Sequence, residues 1–206
     1  MDGQCTGSGG GDKVGLDYYI NSIYKGSIKE LPLDYESDLR YLSFHSGDFI
    51  AVYDDVVIQT QEGDTLWTDD FETYEVGSWP SNWVQSGNAD APGNEVIDSL
   101  SYSGNKALQL KGSYGGCWES IAYRDVGTSK KLIIEFSIYP TGTGQKGCHS
   151  SNGGSGLRTG PDWTTSGKVL IGFNVNDMHI YGPKHLDLGP FSFKQWYRVK
   201  IIYSRP

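Results

Sequence analysis

Basic blocks, long apolar runs and helical periodicity are all missing from this 206-residue chain. The densest basic points are Lys130 beside Lys131 and the spaced Arg198, Lys200 and Arg205. With 17 Lys and Arg against 25 Asp and Glu, the net charge is −8. Binding to duplex nucleic acid or to an anionic membrane rests on cationic side chains, so both are poor partners. No apolar run approaches the roughly 18 residues of a membrane-spanning helix. Methionine is scarce, cysteine stops at 3, and no Cys-x-x-Cys occurs, which argues against a zinc ribbon or a thioredoxin-type site. There is no Asn-x-Ser/Thr acceptor, in keeping with a microbial surface protein. The residues after Met1 are polar and form no signal peptide. The expectation is either a cytoplasmic protein or a mature or excised piece with an added Met.

Glycine and aromatics are abundant instead. Glycine is 28 of the 206 residues, roughly twice ordinary usage, and it follows no three-residue period, which excludes collagen. Six Trp, fourteen Tyr and seven Phe are too many for a disordered chain. Short alternating or apolar runs alternate with clusters of Gly, Asn, Asp and Ser, the pattern of an all-β chain. Residues 16–20 and 23–28, on either side of Asn21 and Ser22, predict a tight hairpin. Residues 40–45 and 49–58 predict two strands about a turn at 46–48. Residues 118–126 and 131–139 predict another hairpin, and 168–175, 178–181 and 196–203 complete the clear set. Runs 66–71 and 107–110 are shorter candidates. In Tyr197-Arg198-Val199-Lys200-Ile201 strict alternation predicts one buried and one wet face. About ten short strands divided by turns predict a single antiparallel β-sandwich or jelly roll over residues 1–206. Its long Gly-rich loops at 1–13, 85–95 and 140–167 are the places to look for binding.

Several motifs occur in an order that carries a resemblance. They are Trp67-Thr68-Asp69-Asp70-Phe71-Glu72, then Val76-Gly77-Ser78-Trp79-Pro80, then Tyr102-Ser103-Gly104-Asn105-Lys106-Ala107-Leu108. Ile134-Glu135-Phe136-Ser137-Ile138-Tyr139 and Gln195-Trp196-Tyr197-Arg198-Val199 follow. With these, residues 66–206 resemble the N-terminal portion of a concanavalin A-like, LamG- or laminarinase-type jelly-roll domain. Residues 1–58 resemble that family's C-terminal strands, through Asp17-Tyr18-Tyr19-Ile20-Asn21, Tyr41-Leu42-Ser43-Phe44 and Tyr53-Asp54-Asp55-Val56-Val57. The order is that of a circular permutation: natural, engineered, or cut from a tandem array. It implies that the family's ends meet near residues 59–66 and that Met1 and Pro206 lie in what is ordinarily one loop. Permutation is cheap where termini sit close together at the surface.

The resemblance implies a structural calcium ion joining the first strand to the last. Its ligands would be Asp54 or Asp55, Asp70, Glu72 and the loop at Gly104. A calcium ion takes six to eight oxygens, mixing carboxylates with carbonyls; a solvated acidic edge is the alternative. The resemblance also places Trp118, Arg124, Arg158, Trp163 and Tyr181, with Tyr123, Asn174 and His179, in the half that forms the concave sheet. Flat aromatics stack on sugar C–H faces while Arg, Asn and Asp fix hydroxyls, so this set is the candidate ligand-binding site. Core packing is the competing reading. Cys117 and Cys148 each follow a Gly and are the candidate disulfide, with free thiols as the alternative and Cys5 as a competitor.

Catalytic signatures are weak. Laminarinase-type enzymes carry Glu-x-Asp-x-(x)-Glu on one strand. The nearest match is Glu36-Ser37-Asp38, without a second Glu, and Glu135 stands alone, so neither reads as an acid–nucleophile pair. Gly142-Thr143-Gly144-Gln145-Lys146-Gly147 matches a dinucleotide fingerprint, but no good helix can follow it. The four histidines lack metal-ligand spacing. The function expected is a non-catalytic, carbohydrate-binding or adhesive module, extracellular or on the cell surface, with polysaccharide as partner. The alternatives are a self-assembling structural subunit that exchanges strands with copies of itself and, behind it, a glycan-degrading hydrolase or lyase.

Overall fold

The computed structural model describes residues 14–31, 40–47, 49–87, 92–111, 120–127, 131–144, 155–160 and 169–204. The strands among them are β1 Val14–Ile20, β2 Ile23–Leu31, β3 Tyr41–Ser46, β4 Phe49–Thr60, β5 Thr65–Asp69, β6 Val84–Gly87, β7 Glu95–Ile97 and β8 Ala107–Leu110. They continue with β9 Ser120–Asp125, β10 Lys131–Gly144, β11 Ser155–Thr159, β12 Val169–Asn174, β13 His179–Tyr181, β14 Asp187–Pro190 and β15 Tyr197–Ser204. They form two antiparallel sheets around one core, a β-sandwich. The eight-stranded sheet runs β2-β1-β15-β10-β4-β8-β7, with β5 also paired to β4. The seven-stranded sheet runs β14-β13-β12-β11-β3-β9-β6. Among the described residues no helix is long and apolar enough to cross a membrane.

Local chemistry explains the β1–β2 hairpin. Asn21 and Ser22 both take positive φ, 52° and 66°, the two left-handed positions of the turn that matches strand twist. Along β15 the alternation holds to the end. Tyr197, Val199, Ile201 and Tyr203 are buried, while Arg198, Lys200, Ile202 and Ser204 are partly exposed. β1 pairs β15, with Gly15 opposite Ser204, so the first and last described strands are neighbours.

Two expected hairpins are instead crossings between sheets. β3 lies in the seven-stranded sheet and β4 in the eight-stranded one, and β9 and β10 divide the same way. The reason is burial. Leu42 and Phe44 of β3 and Tyr53 and Val56 of β4 all belong to the core, so these strands face each other rather than lying side by side. Strands β6, β7, β11 and β14 have three to five residues each, too short for alternation to reveal them. Gly142 and Gly144 lie in the end of β10, and the rest of that motif lies outside the described residues.

Phe44 is the centre of the core. Its ring lies 4.6 Å from Tyr53 and 5.0 Å from Phe136, both on the opposite sheet, and 5.4 Å from Trp83. Two buried tyrosine hydroxyls also cross the sandwich. Tyr53 donates to the His45 carbonyl at 2.6 Å, and Tyr18 donates to the Leu170 carbonyl at 2.9 Å. Each satisfies a polar group that is costly to leave buried alone. Phe44→Ala removes the shared ring and leaves a cavity, a loss of about 3–5 kcal/mol. Thermal unfolding should show a Tm lower by roughly 6–20 °C in a chain of this size. A drop of only a degree or two would contradict this placement of the core.

Candidate functional site

Cross-strand partners share a face of a sheet, so the register sorts the seven-stranded sheet into two sides. Leu42, Phe44, Leu157, Phe173 and Ile180 point into the core. On the outer side one row runs Val84, Tyr123, Ser43, Arg158. The next runs Ile121, His45, Gly156, Gly172, Tyr181, Asp187. A third pairs Asn174 with His179. Tyr41 joins beside Tyr123, their rings 6.1 Å apart and edge to face. At Gly156 any Cβ would strike the Ile171 carbonyl oxygen, so only glycine lets β11 and β12 approach this closely.

The polar groups of this face hold one another in place. The Tyr181 hydroxyl donates to Asp177 at 2.6 Å. That bond pushes its pKa up to about 12, so Tyr181 remains a neutral donor and acceptor. His179 Nδ1 lies 3.0 Å from both Asp187 oxygens, and its ring stacks against Tyr181. The Gly189 N–H and then His179 hold the Asp187 carboxyl below its ordinary range. Arg158 is half-buried on β11, and its carbonyl accepts the Ser43 hydroxyl at 3.4 Å. Tyr41, Tyr123, Arg158, His179, Tyr181 and Asp187 are partly or fully exposed on this face, whereas Ser43, His45 and Ile121 between them are buried.

Two of the five expected ligand residues, Arg158 and Tyr181, lie on this outer face. Arg124 does not join them. It pairs Leu42 on the core-facing side, with its guanidinium 4.4 Å from the Trp67 ring centroid and an N–H on the Asn82 carbonyl at 2.6 Å. There it covers Trp67, which packs edge-on against Trp83. Trp118, Trp163, Cys117 and Cys148 lie outside the described residues, as do Glu36 and Asp38. Glu135 forms ion pairs with Lys200 at 3.1 Å and Arg198 at 3.4 Å. Sequence reasoning missed Tyr41, Asp177 and Asp187. Asp177 sits in the turn before β13, where an Asn-Asp pair was the available signal; Asp187 required knowing β14.

The acidic residues assigned to calcium gather elsewhere, around the loop 101–106. Asp54 and Asp55 sit at a bulge in β4: Glu135 pairs Val57 but Ser137 pairs Asp54, so β4 carries one extra residue. Asp55 takes φ 49° there, and Asp54 is buried. The Asp54 carboxylate accepts the N–H groups of Asp55 at 2.7 Å, Tyr102 at 2.8 Å and Ser103 at 3.1 Å. Asp55 accepts the Ser103 hydroxyl at 2.6 Å. Across the loop, one Glu72 oxygen accepts the N–H groups of Asn105 at 2.6 Å and Lys106 at 2.7 Å. Those bonds hold the Glu72 carboxyl below its ordinary range. The Lys106 ammonium donates to the carbonyls of Glu72 at 2.9 Å and Tyr74 at 2.7 Å. Gly104 has φ 60°, and its carbonyl accepts the Ser101 hydroxyl at 3.2 Å. Asp70 caps the Glu72 N–H at 3.2 Å. Calcium requires oxygens converging on one point. Here Asp54, Asp70 and Glu72 turn toward N–H donors, Asp55 toward the Ser103 hydroxyl and the Gly104 carbonyl toward the Ser101 hydroxyl, so the residues as arranged do not fit a calcium cage.

No protein-family profile, curated protein or solved structure matches the chain.

Burial pushes the Asp54 pKa up from 3.8 to about 6, against the three N–H bonds that favour its charged form. The folded chain therefore binds this proton more tightly than the unfolded chain does. Its contribution to stability is full below the unfolded value and fades as pH rises through about 6. Carboxyl-detected NMR should show one carboxyl titrating near 6 that disappears in Asp54→Asn, and the variant should lose this slope of stability with pH. In the same melts, added Ca²⁺ or EDTA should leave Tm unmoved. A Ca²⁺-dependent rise in Tm would contradict the N–H and ammonium closure of the loop.

Proposed function

We propose that the chain is a non-catalytic, polysaccharide-binding adhesive module that acts outside the cell or on its surface. On this reading the sandwich is of the jelly-roll, concanavalin A-like type, with its order permuted. The glycan lies across the outer face of the seven-stranded sheet. The observation that carries the reading is the register itself, which sets Tyr123, Arg158, His179, Tyr181 and Asp187 on one side of one sheet. Rings there can stack on sugar faces, and the charged groups can bind hydroxyls. The hydrolase reading has no observation of its own among the described residues, where Glu135 is paired with Lys200 and Arg198.

A second reading has its own observation. The N-terminal hairpin docks on β15 at the other end of the chain, with Gly15 beside Ser204. The same hairpin from a second copy can take that place with the same contacts, which makes strand exchange a route to assembly.

One sample tests both. Arg158→Ala, Tyr181→Ala and Trp163→Ala should each weaken retention on immobilised polysaccharide by about tenfold or more. If neither Arg158→Ala nor Tyr181→Ala alters retention, the glycan site on this face is wrong. Light scattering on the wild-type chain should give a monomer at every concentration for the adhesive module, whereas growth with concentration would favour exchange.

A further inference from the structure

The outer face of the eight-stranded sheet carries a second set of rings that the reading above does not use. Tyr102 is 46 % exposed. Its ring meets Trp196 edge-on at 5.5 Å, and Trp196 in turn lies 5.3 Å from Tyr139. Trp196 sits two residues before Arg198, and Tyr139 two residues after Ser137. Ser137 pairs Arg198 across β10 and β15, so the rings continue into a polar row on the same face. Arg198 donates to the Asp55 carbonyl at 3.0 Å and pairs with its carboxylate at 3.8 Å. Beyond Arg198 lies a cleft of about 430 Å³, lined by Asp55, Thr68, Asp70, Thr73, Asn82 and Arg198. An aromatic platform and a polar cleft therefore meet where Ser103 bonds Asp55.

The loop that presents Tyr102 is held with unusual care for an exposed segment. The buried Asp54 carboxylate takes the N–H groups of Tyr102 and Ser103. Glu72 and Lys106 fix the other end of the loop. Gly104 takes φ 60°, a backbone that a side chain strains, and a Cβ there would displace the Glu72 carboxylate that holds the loop. Burying a carboxylate is costly, and here it fixes the backbone of an exposed tyrosine. A ring held rigid before binding loses little entropy when a ligand stacks on it.

We propose that Tyr102, Trp196 and the Arg198 cleft form a second saccharide-binding site, on the sheet opposite the first. Its ligand is an uncharged oligosaccharide. Tyr102 and Trp196 supply a stacking surface, and Thr68, Thr73, Asn82 and Asp70 supply donors and acceptors for hydroxyls. Asp55 and Asp70, with the buried Asp69 behind them, leave the cleft net acidic beside the single guanidinium of Arg198, which disfavours uronates and sulfated sugars. With one site on each face the module can hold two glycan strands and cross-link them.

The test uses the full chain with four probes: cellohexaose, xylohexaose, mannohexaose and, as the anionic control, hexagalacturonate. The readout is the indole N–H resonance of Trp196. At least one neutral probe should shift this resonance saturably, and hexagalacturonate should not. Tyr102→Ala should weaken that binding by about tenfold, and Tyr102→Phe should retain it, which separates loss of the ring from loss of the fold. Asn82→Ala at the exposed rim should weaken it as well. Arg158→Ala should leave it unchanged while weakening binding at the other face, so the two sites fail independently. No shift with any neutral probe at millimolar concentration would overturn the second site. So would an equal shift with hexagalacturonate, or wild-type affinity in Tyr102→Ala.

Discussion

Pairing of β1 with β15 is the contact on which the rest of the sandwich depends. It joins the two ends of the described chain, from Gly15 beside Ser204 to Ile20 beside Val199. Without it β15 would be an edge strand, and edge strands with a buried apolar face invite misassembly. With it, Leu16, Tyr18 and Ile20 enter the same core as Val199, Ile201 and Tyr203. The Tyr18 hydroxyl then reaches across to the Leu170 carbonyl of the other sheet. One ladder thus fixes the hairpin, completes the eight-stranded sheet and locks the two sheets together.

The two outer faces differ because the two sheets are built differently. In the seven-stranded sheet, paired glycines at 156 and 172 bring β11 and β12 close, and the flanking strands carry His45 and Tyr181 on either side. In the eight-stranded sheet the bulge of β4 breaks the pleat where β8 gives way to β5. That break turns Asp54 and Asp55 toward the loop 101–106, and the loop sets Tyr102 against Trp196. A bulge re-aims side chains that a regular strand would alternate between faces. Asp54, which looks like an ion ligand in the sequence, thereby becomes an acceptor for backbone N–H groups, and Asp55 accepts the Ser103 hydroxyl.

Strong alternation and turn chemistry made much of the fold legible. Residues 197–201 announce a half-buried strand, and Asn21-Ser22 announces a tight hairpin; both follow from local physics. Which strands pair is not local. The runs 40–45 and 49–58 read as neighbours, yet they belong to opposite sheets because both carry core residues facing each other. Strands as short as Glu95–Ile97 leave no periodicity to detect. Of the ligand residues, Arg158 and Tyr181 share a face, whereas Arg124 packs over Trp67. Its side is set by a register with β3 that no short window contains. The Tyr102–Trp196 pair joins residues far apart in sequence, so only the folded chain brings it into view.

Native-state hydrogen exchange on β1 and β15 tests the closing ladder most directly. If the ladder is integral, amides of Leu16, Tyr18 and Ile20 exchange as slowly as those of β10 and β4, through global unfolding. Their free energies of opening should then equal that of the whole domain. Fast exchange confined to β1 and β2, with β10 and β4 still protected, would mean that the hairpin detaches by itself. The sandwich would then stand without the contact on which this account rests.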